Sequence, residues 1–206
     1  MAARQEESTA GVTDRRAARH AATKLRILDA AWGLAREEGL AGISLRDLAA
    51  RVDLRQPSLY SYFDSKHALY DAMFAQGYEQ LLSEVESMEL RGRPIEQVRE
   101  MAHVFVRLAV SDLARAQLLF QRTLPAFEPS PESYALANRF LDEARRRLVA
   151  AGFTRAADLD LYTALTGGLV NQQLANEPGG TRWVDLVDEA MDMYLKHMKA
   201  RGGSKK

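Results

Sequence analysis

Cysteine is absent from the chain, which removes disulfides, thiolate nucleophiles and cysteine-ligated zinc together. Also absent is any run of about 18 apolar residues, the least a membrane-spanning helix needs, so no membrane partner is expected. Residues 1–20 are charged and alanine-rich, without the apolar segment of a secretory signal, and a cytoplasmic location follows as the expectation. Net charge is missing too: 28 Lys and Arg face 28 Asp and Glu. The phosphate-cradling G-x-x-x-x-G-K, the dinucleotide-binding G-x-G-x-x-G after a strand and the G-x-S-x-G elbow do not occur. His20, His67, His103 and His197 lie far apart with no H-x-x-x-H pair, and carboxylate pairs such as Glu37–Glu38 read as ordinary helix surface. Hence no catalytic residue, no metal site and no cofactor is expected, and the chain is not read as an enzyme.

What is present is helix-forming sequence almost throughout. Hydrophobic residues make up 47% of the chain, ample for a core, and recur with helical rather than strand period. Charge is distributed unevenly. Residues 1–70 hold 11 basic and 9 acidic side chains, whereas 71–206 hold 17 and 19. The positive excess gathers at Arg15, Arg16, Arg19, Lys24 and Arg26. Residues 1–15 and 201–206 are expected to be disordered.

A first helix is expected over Arg16–Glu38, with Leu25, Leu28, Ala31, Trp32 and Ala35 as its apolar stripe and Gly39 as its stop. Ser44 then stands where it can cap a helix of about Leu45–Arg51, with Ile43 and Leu48 spaced as a hydrophobic staple. Val52–Leu54 form a turn, and a third short helix begins at Pro57 and stops near Phe63. Asp64 or Ser65 caps a long fourth helix reaching about Met88. After the break at RGRP (Arg91–Pro94), further helices are expected at about 94–110, 112–123, 131–151, 155–176 and 181–200, divided by LPAFEPSPES, AGFT and NEPGGT.

One stretch is unlike a core helix. LRQPSLYSYFDSKHALY, from Leu54 to Tyr70, offers only Leu59, Phe63 and Leu69 as clear core formers and turns Gln56, Ser58, Tyr60, Ser61 and Tyr62 outward. Two short capped helices joined by a brief turn, the second polar and exposed, make a helix-turn-helix, whose second helix suits the major groove of DNA. Gln56 can donate to and accept from a base edge, and Arg55 can reach a guanine or a phosphate. Ser58, Ser61 and the hydroxyls of Tyr60 and Tyr62 suit phosphates or thymine methyls. Lys66, in the first turn of the fourth helix, and Ser44, at the start of the second, place helix N-termini beside the backbone.

The composite SLRDLAARVDLRQPSLYSYFDSKHALYDAM, preceded by a helix ending in EEG, resembles the N-terminal DNA-binding domain of the TetR family of transcriptional repressors over about Ala22–Met73. The resemblance implies an all-α protein. A three-helix helix-turn-helix domain (16–66) would be followed by a helical ligand-binding and dimerisation domain (67–200). It also implies that Ser44, Arg55, Gln56, Pro57, Ser58, Tyr60, Ser61, Tyr62 and Lys66 contact DNA, to which the basic run adds Lys24. Asp64 departs from the family pattern, which often has a basic residue there.

The implied partners are a double-stranded DNA operator of pseudo-palindromic sequence, a second copy of the chain docked through the last two helices, and a small organic inducer that releases the dimer from DNA. Activation rather than repression stays open, as does a helical ligand-binding dimer that no longer reads DNA. Polar residues within apolar helical stripes are the candidate inducer contacts: His103, Arg107, Gln121 beside Phe120, Tyr134, Asn138, Tyr162, Thr166 and Asn171. As a set they suggest a partly aromatic, uncharged or weakly anionic molecule. Phe105, Phe127 and Phe140 are core by default.

Overall fold

Sparse proline and a surplus of helix formers leave the backbone one economical way to satisfy its N–H and C=O groups, and helices begin and end at the breakers. The computed structural model describes residues 2–88 and 92–203, with side chains for 15–88 and 92–201. Nine helices account for it, and no strand occurs among the described residues. The chain is all-α. It divides into two compact units between Met73 and Phe74, inside a helix rather than at its start.

In the first unit α1 (Ala2–Glu38) begins well before Arg16. Ala2, Ala3, Arg4, Gln5 and Glu6 are helix formers with no proline among them, which is the local reason the helix can reach back. Most of the expected 1–15 arm lies outside the residues whose side chains are described. α1 stops at Gly39, whose φ of +77° is open to glycine and whose N–H bonds to Ala35 C=O at 3.0 Å. The apolar stripe is Ile27, Leu28, Ala31, Trp32, Leu34 and Ala35. Leu25 is 54% exposed because the buried stripe begins only at Ile27.

α2 (Leu45–Arg51) is capped by Ser44, whose Oγ accepts from Asp47 N–H, and Ile43 and Leu48 of the staple are both buried. α3 (Gln56–Leu59) is a single turn, with Pro57 near its start. Turn hydrogen bonds carry the chain on to Phe63, whose N–H reaches Leu59 C=O at 3.1 Å. Ser65 Oγ accepts from Ala68 N–H and so caps α4 (Lys66–Ser87). Ile27, Trp32, Leu48, Leu59, Leu69 and Met73 are all buried in this unit, and the Tyr70 hydroxyl donates to Leu40 C=O at 2.5 Å.

The second unit takes the rest of α4, then α5 (Pro94–Val110), α6 (Leu113–Phe120), α7 (Pro131–Ala150), α8 (Ala156–Asn176) and α9 (Val187–Gly203). α5 is central and packs on α6, α7, α8 and α9. Its Val98, Met101 and Val106 join Leu148, Tyr162, Val187, Met191 and Tyr194 in one core. α9 starts at Val187 rather than 181, because Thr181–Leu186 closes turns instead, with Asp185 N–H on Thr181 C=O at 2.8 Å. It also runs on to Gly203; residues 204–206 of the expected tail and Arg91 of the expected break lie outside the described residues.

Two buried polar side chains of α8 tie it to its surroundings. Asp158 accepts from Arg155 N–H at 3.0 Å and from Arg201 at 3.2 Å, while Tyr194 OH donates to its backbone carbonyl. Gln173, also buried, accepts Trp183 N–H at 2.9 Å and donates to Glu177 C=O. The Asp158 and Gln173 side chains thereby have partners, which keeps their desolvation from counting against the fold.

Candidate nucleic-acid interface and ligand cavity

Leu59 is the hinge of the first site. It is the one fully buried residue of α3, which packs on α2, and burying it leaves its neighbours facing outward. Arg55, Gln56, Pro57, Ser58, Tyr60 and Ser61 are all exposed, and Tyr62, Lys66 and Ser44 are half-buried. Tyr60 keeps 46% of its surface, a large exposure for a ring that the core could have taken. The helix-turn-helix is braced from α1: Arg26 donates to Val52 C=O at 3.3 Å, and Arg51 grips Glu37 at 2.7 and 2.8 Å.

Several of the expected contact residues have partners within the unit. Tyr62 stacks on His20, ring centroids 4.5 Å apart, a contact between α1 and the turn after α3 that no sequence spacing signals. Lys24 places its ammonium 5.5 Å from the Phe63 ring, and Lys66 donates to Ala41 C=O at 2.8 Å while lying 5.6 Å from the Tyr70 ring. Ser61 Oγ donates to Ser58 C=O at 2.7 Å. Gln56 and Arg55 head the exposed edge. The turn between α2 and α3 has Asp53 at φ +55°, a left-handed conformation that aspartate tolerates better than most side chains.

The second unit holds a cavity of about 400 Å³ walled by α4 to α8. Its wall is a shell of rings. Tyr78 stands at 6.1 Å from Phe120 and 6.0 Å from Phe140, Phe105 at 5.2 Å from Phe120, and Phe74 at 6.4 Å from Phe127. Edge-to-face geometry dominates, as ring quadrupoles prefer. The hydroxyls of three lining residues have acceptors within the protein. Tyr78 OH donates to Leu119 C=O at 3.1 Å, Tyr162 OH to Val98 C=O at 3.4 Å, and Thr166 Oγ1 to Tyr162 C=O at 2.9 Å. Burial raises the pKa of the Tyr78 and Tyr162 phenols well above the ordinary tyrosine value, so both are neutral donors.

Of the nine candidate inducer residues, Phe120, Gln121, Tyr134, Tyr162 and Thr166 line this cavity, and four do not. His103 faces α9 instead, its Nε2 2.9 Å from Asp188 Oδ1, in a cluster where Arg99 also holds Asp188 and Asp192. Hydrogen bonds from His103 and Arg99 hold the Asp188 carboxyl below the usual aspartate range. Arg107 and Asn138 are exposed. Asn171 accepts from Gln121 Nε2 at 2.6 Å and so supports a lining residue without lining the cavity itself.

The residues that sequence reasoning assigned to the core, Phe105, Phe127 and Phe140, are walls of the cavity, as are Phe74 and Tyr78. Arg122 and Thr123 were not singled out, yet both line it. Their segment turns at Leu124–Phe127, where Phe127 N–H meets Leu124 C=O at 3.3 Å and Ala126 takes φ +58° after Pro125. Proline followed by a left-handed residue is the pattern of a type II turn, and it seats Phe127 in the wall. The proline-rich connector was the available signal.

Residues 27–73 match the family model described as bacterial regulatory proteins, tetR family. An uncharacterized HTH-type transcriptional regulator, YobS of Bacillus subtilis (strain 168), is 27% identical over 90 residues, 44% of this chain; the match spans about half of that curated relative, 47% of its length. Among solved structures, the transcriptional regulator FadR of Bacillus subtilis in complex with stearoyl-CoA superposes with a TM-score of 0.66 at 16% identity, covering 83% of this chain and 97% of FadR. AibR in complex with isovaleryl coenzyme A and operator DNA gives 0.60 at 19% identity, covering 83% and 97%. These two likenesses establish a shared fold. The helix-turn-helix unit is thus matched by the tetR family model over residues 27–73, and most of the chain shares the fold of these solved regulators.

Proposed function

We propose that the chain is a ligand-responsive repressor that binds a pseudo-palindromic operator as a homodimer and leaves it when a small organic molecule enters the cavity. The observation that carries the DNA half is the outward edge of α3. Six consecutive or near-consecutive positions from Arg55 to Ser61 are exposed and mostly polar, over a single buried anchor, Leu59. Gln56 and Arg55 suit base edges, whereas Tyr60, Ser58 and Lys66 suit phosphates; the first kind of contact sets sequence preference and the second sets affinity and register. In reaching a phosphate, Lys66 exchanges the Ala41 carbonyl for a charged acceptor, a stronger hydrogen bond.

One helix-turn-helix covers one half-site, so two copies would meet half-sites about 34–36 Å apart. A dimer through α8 and α9 is supported by the outer face of α8. Leu161 is 44% exposed, Ala164 and Gly168 are exposed beside it, and a Cβ built on Gly168 meets no atom within 4 Å. Small residues flanked by leucine suit a second helix at close range. Just before α9 Leu186, and on α9 Met193, are exposed large apolar side chains.

For release, the ring-lined cavity supports a ligand with an apolar body, and AibR, of the same fold, was crystallised with both an acyl-coenzyme A and operator DNA. α4 carries Lys66 at one end and the cavity residues Phe74 and Tyr78 further along, so a ligand that displaces those rings acts on the same helix. Such a ligand shifts the equilibrium only by its preference for the form that does not fit DNA.

The test is selection of duplexes from random DNA by the full chain, followed by titration at several salt concentrations with wild type and Tyr60→Ala. The expected outcome is an enriched inverted repeat, bound with a steep salt dependence and at least about tenfold more weakly by the variant. Failure to enrich any sequence would sink the operator reading.

A further inference from the structure

We infer that the cavity takes an amphipathic anion, its apolar body among the rings and its single anionic group against Arg122 at the mouth. The inference rests on the ligand-binding reading above and specifies the chemistry of that site. At about 400 Å³ the cavity lies toward the small end of ligand pockets, suited to a medium-length chain or a compact ring system. The hydroxyls of Tyr78, Tyr162 and Thr166 already have acceptors inside the protein, so the interior asks for no polar partner. A charge placed there would lose its hydration with nothing to replace it.

The aromatic shell could in principle attract a cation through the ring faces. The charges argue the other way. No carboxylate is among the lining residues, and the one side chain among them that carries a formal charge is Arg122, which is exposed. Glu128, the other charged residue of the same connector, does not line the cavity. Gln121 and Thr123 flank Arg122 in sequence and line the cavity with it. A planar guanidinium at the edge of an apolar chamber pairs a carboxylate in two parallel hydrogen bonds while the chain beyond stays dry.

The experiment uses the full chain and the uncharged fluorophore N-phenyl-1-naphthylamine, displaced in turn by decanoate, decanol, decyltrimethylammonium and decanoyl-coenzyme A. Probe binding that Ala137→Phe, a substitution in the wall, weakens strongly, with helical content retained by circular dichroism, locates the probe in the cavity. No probe binding to wild type would overturn the ligand-binding reading itself. With the probe in place, decanoate is expected to displace it at about tenfold lower concentration than decanol, and decyltrimethylammonium to be the weakest. In Arg122→Gln that ratio of decanoate to decanol falls to near one. Stronger displacement by decanoyl-coenzyme A, also lost in Arg122→Gln, would keep the anion subsite and identify its natural source as a thioester's phosphates. Decanol equal to decanoate in wild type, a decanoate advantage that survives Arg122→Gln, or preference for the ammonium would each overturn the inference.

Discussion

Asp53 and Ala126 are the two non-glycine residues held at positive φ among the described residues, and each sits at a turn that orients a site. Left-handed backbone costs an L-residue about 1 kcal/mol relative to glycine, less for aspartate, whose short polar side chain bonds locally. Asp53 sets the angle between α2 and α3; Ala126 seats Phe127 in the cavity wall. Ala126→Gly is therefore expected to raise thermal stability, by up to about 1 kcal/mol, with the unfolded chain's added freedom trimming the gain. Asp53→Ala is expected to lower it by about 1 kcal/mol and Asp53→Asn to leave it nearly unchanged. Urea melts of the three variants check this. A gain in stability from Asp53→Ala would contradict the argument.

At the scale of elements, two glycines differ in their surroundings, one packed inside the chain and one on an exposed face. A Cβ on Gly77 of α4 would lie 2.9 Å from both Cδ atoms of Leu119 on α6, and Leu119 lines the cavity. Gly77→Ala gains about 1 kcal/mol of helix propensity but must push Leu119 aside, an overpacking of similar or larger cost. The net change in stability is expected to be small, whereas the affinity for N-phenyl-1-naphthylamine drops several-fold as Leu119 enters the cavity; fluorescence titration measures it. Gly168 is the opposite case. Its added Cβ meets open space within the protomer, so Gly168→Leu is expected to fold normally. If α8 is the dimer face, the leucine blocks helix contact and the chain sediments as a monomer; a dimer of undiminished stability would move the interface elsewhere.

For the molecule as a whole, buried tyrosines make alkaline pH the weak flank. Desolvation pushes Tyr70 up to about 12 and Tyr194 up to about 12, and raises Tyr78 and Tyr162 further. An unfolded tyrosine titrates near pH 10. Because the folded values are raised, the stability that comes from keeping these phenols neutral is whole below about pH 10 and is lost as pH rises toward 12. Loss of helical circular dichroism is expected to begin above about pH 10 and to coincide with the rise of phenolate absorbance. Phenolate appearing fully while the helices persist would show that the buried hydroxyls are reachable without unfolding.

Short-range physics was legible in the residues alone. Helical period, the Ser44 cap with its Ile43–Leu48 staple, the Gly39 stop, and Pro57 opening a polar turn each act within a few positions, and together they spell the helix-turn-helix and its exposed edge. The boundaries of α3 and α9 shifted because one-turn helices and turn bonds compete almost evenly at such lengths.

The cavity belongs to tertiary structure. Five helices converge on it, and a phenylalanine that packs a core and one that walls a chamber share the same apolar position in their own helix. Phe105, Phe127 and Phe140 thus read as core, while His103, polar on an apolar stripe, read as a pocket group until α9 supplied Asp188 as its partner. Sequence determined which faces are apolar and which edge is polar and exposed. Only packing across distant segments decided where those apolar faces leave a space and which charge, that of Arg122, stands at its mouth.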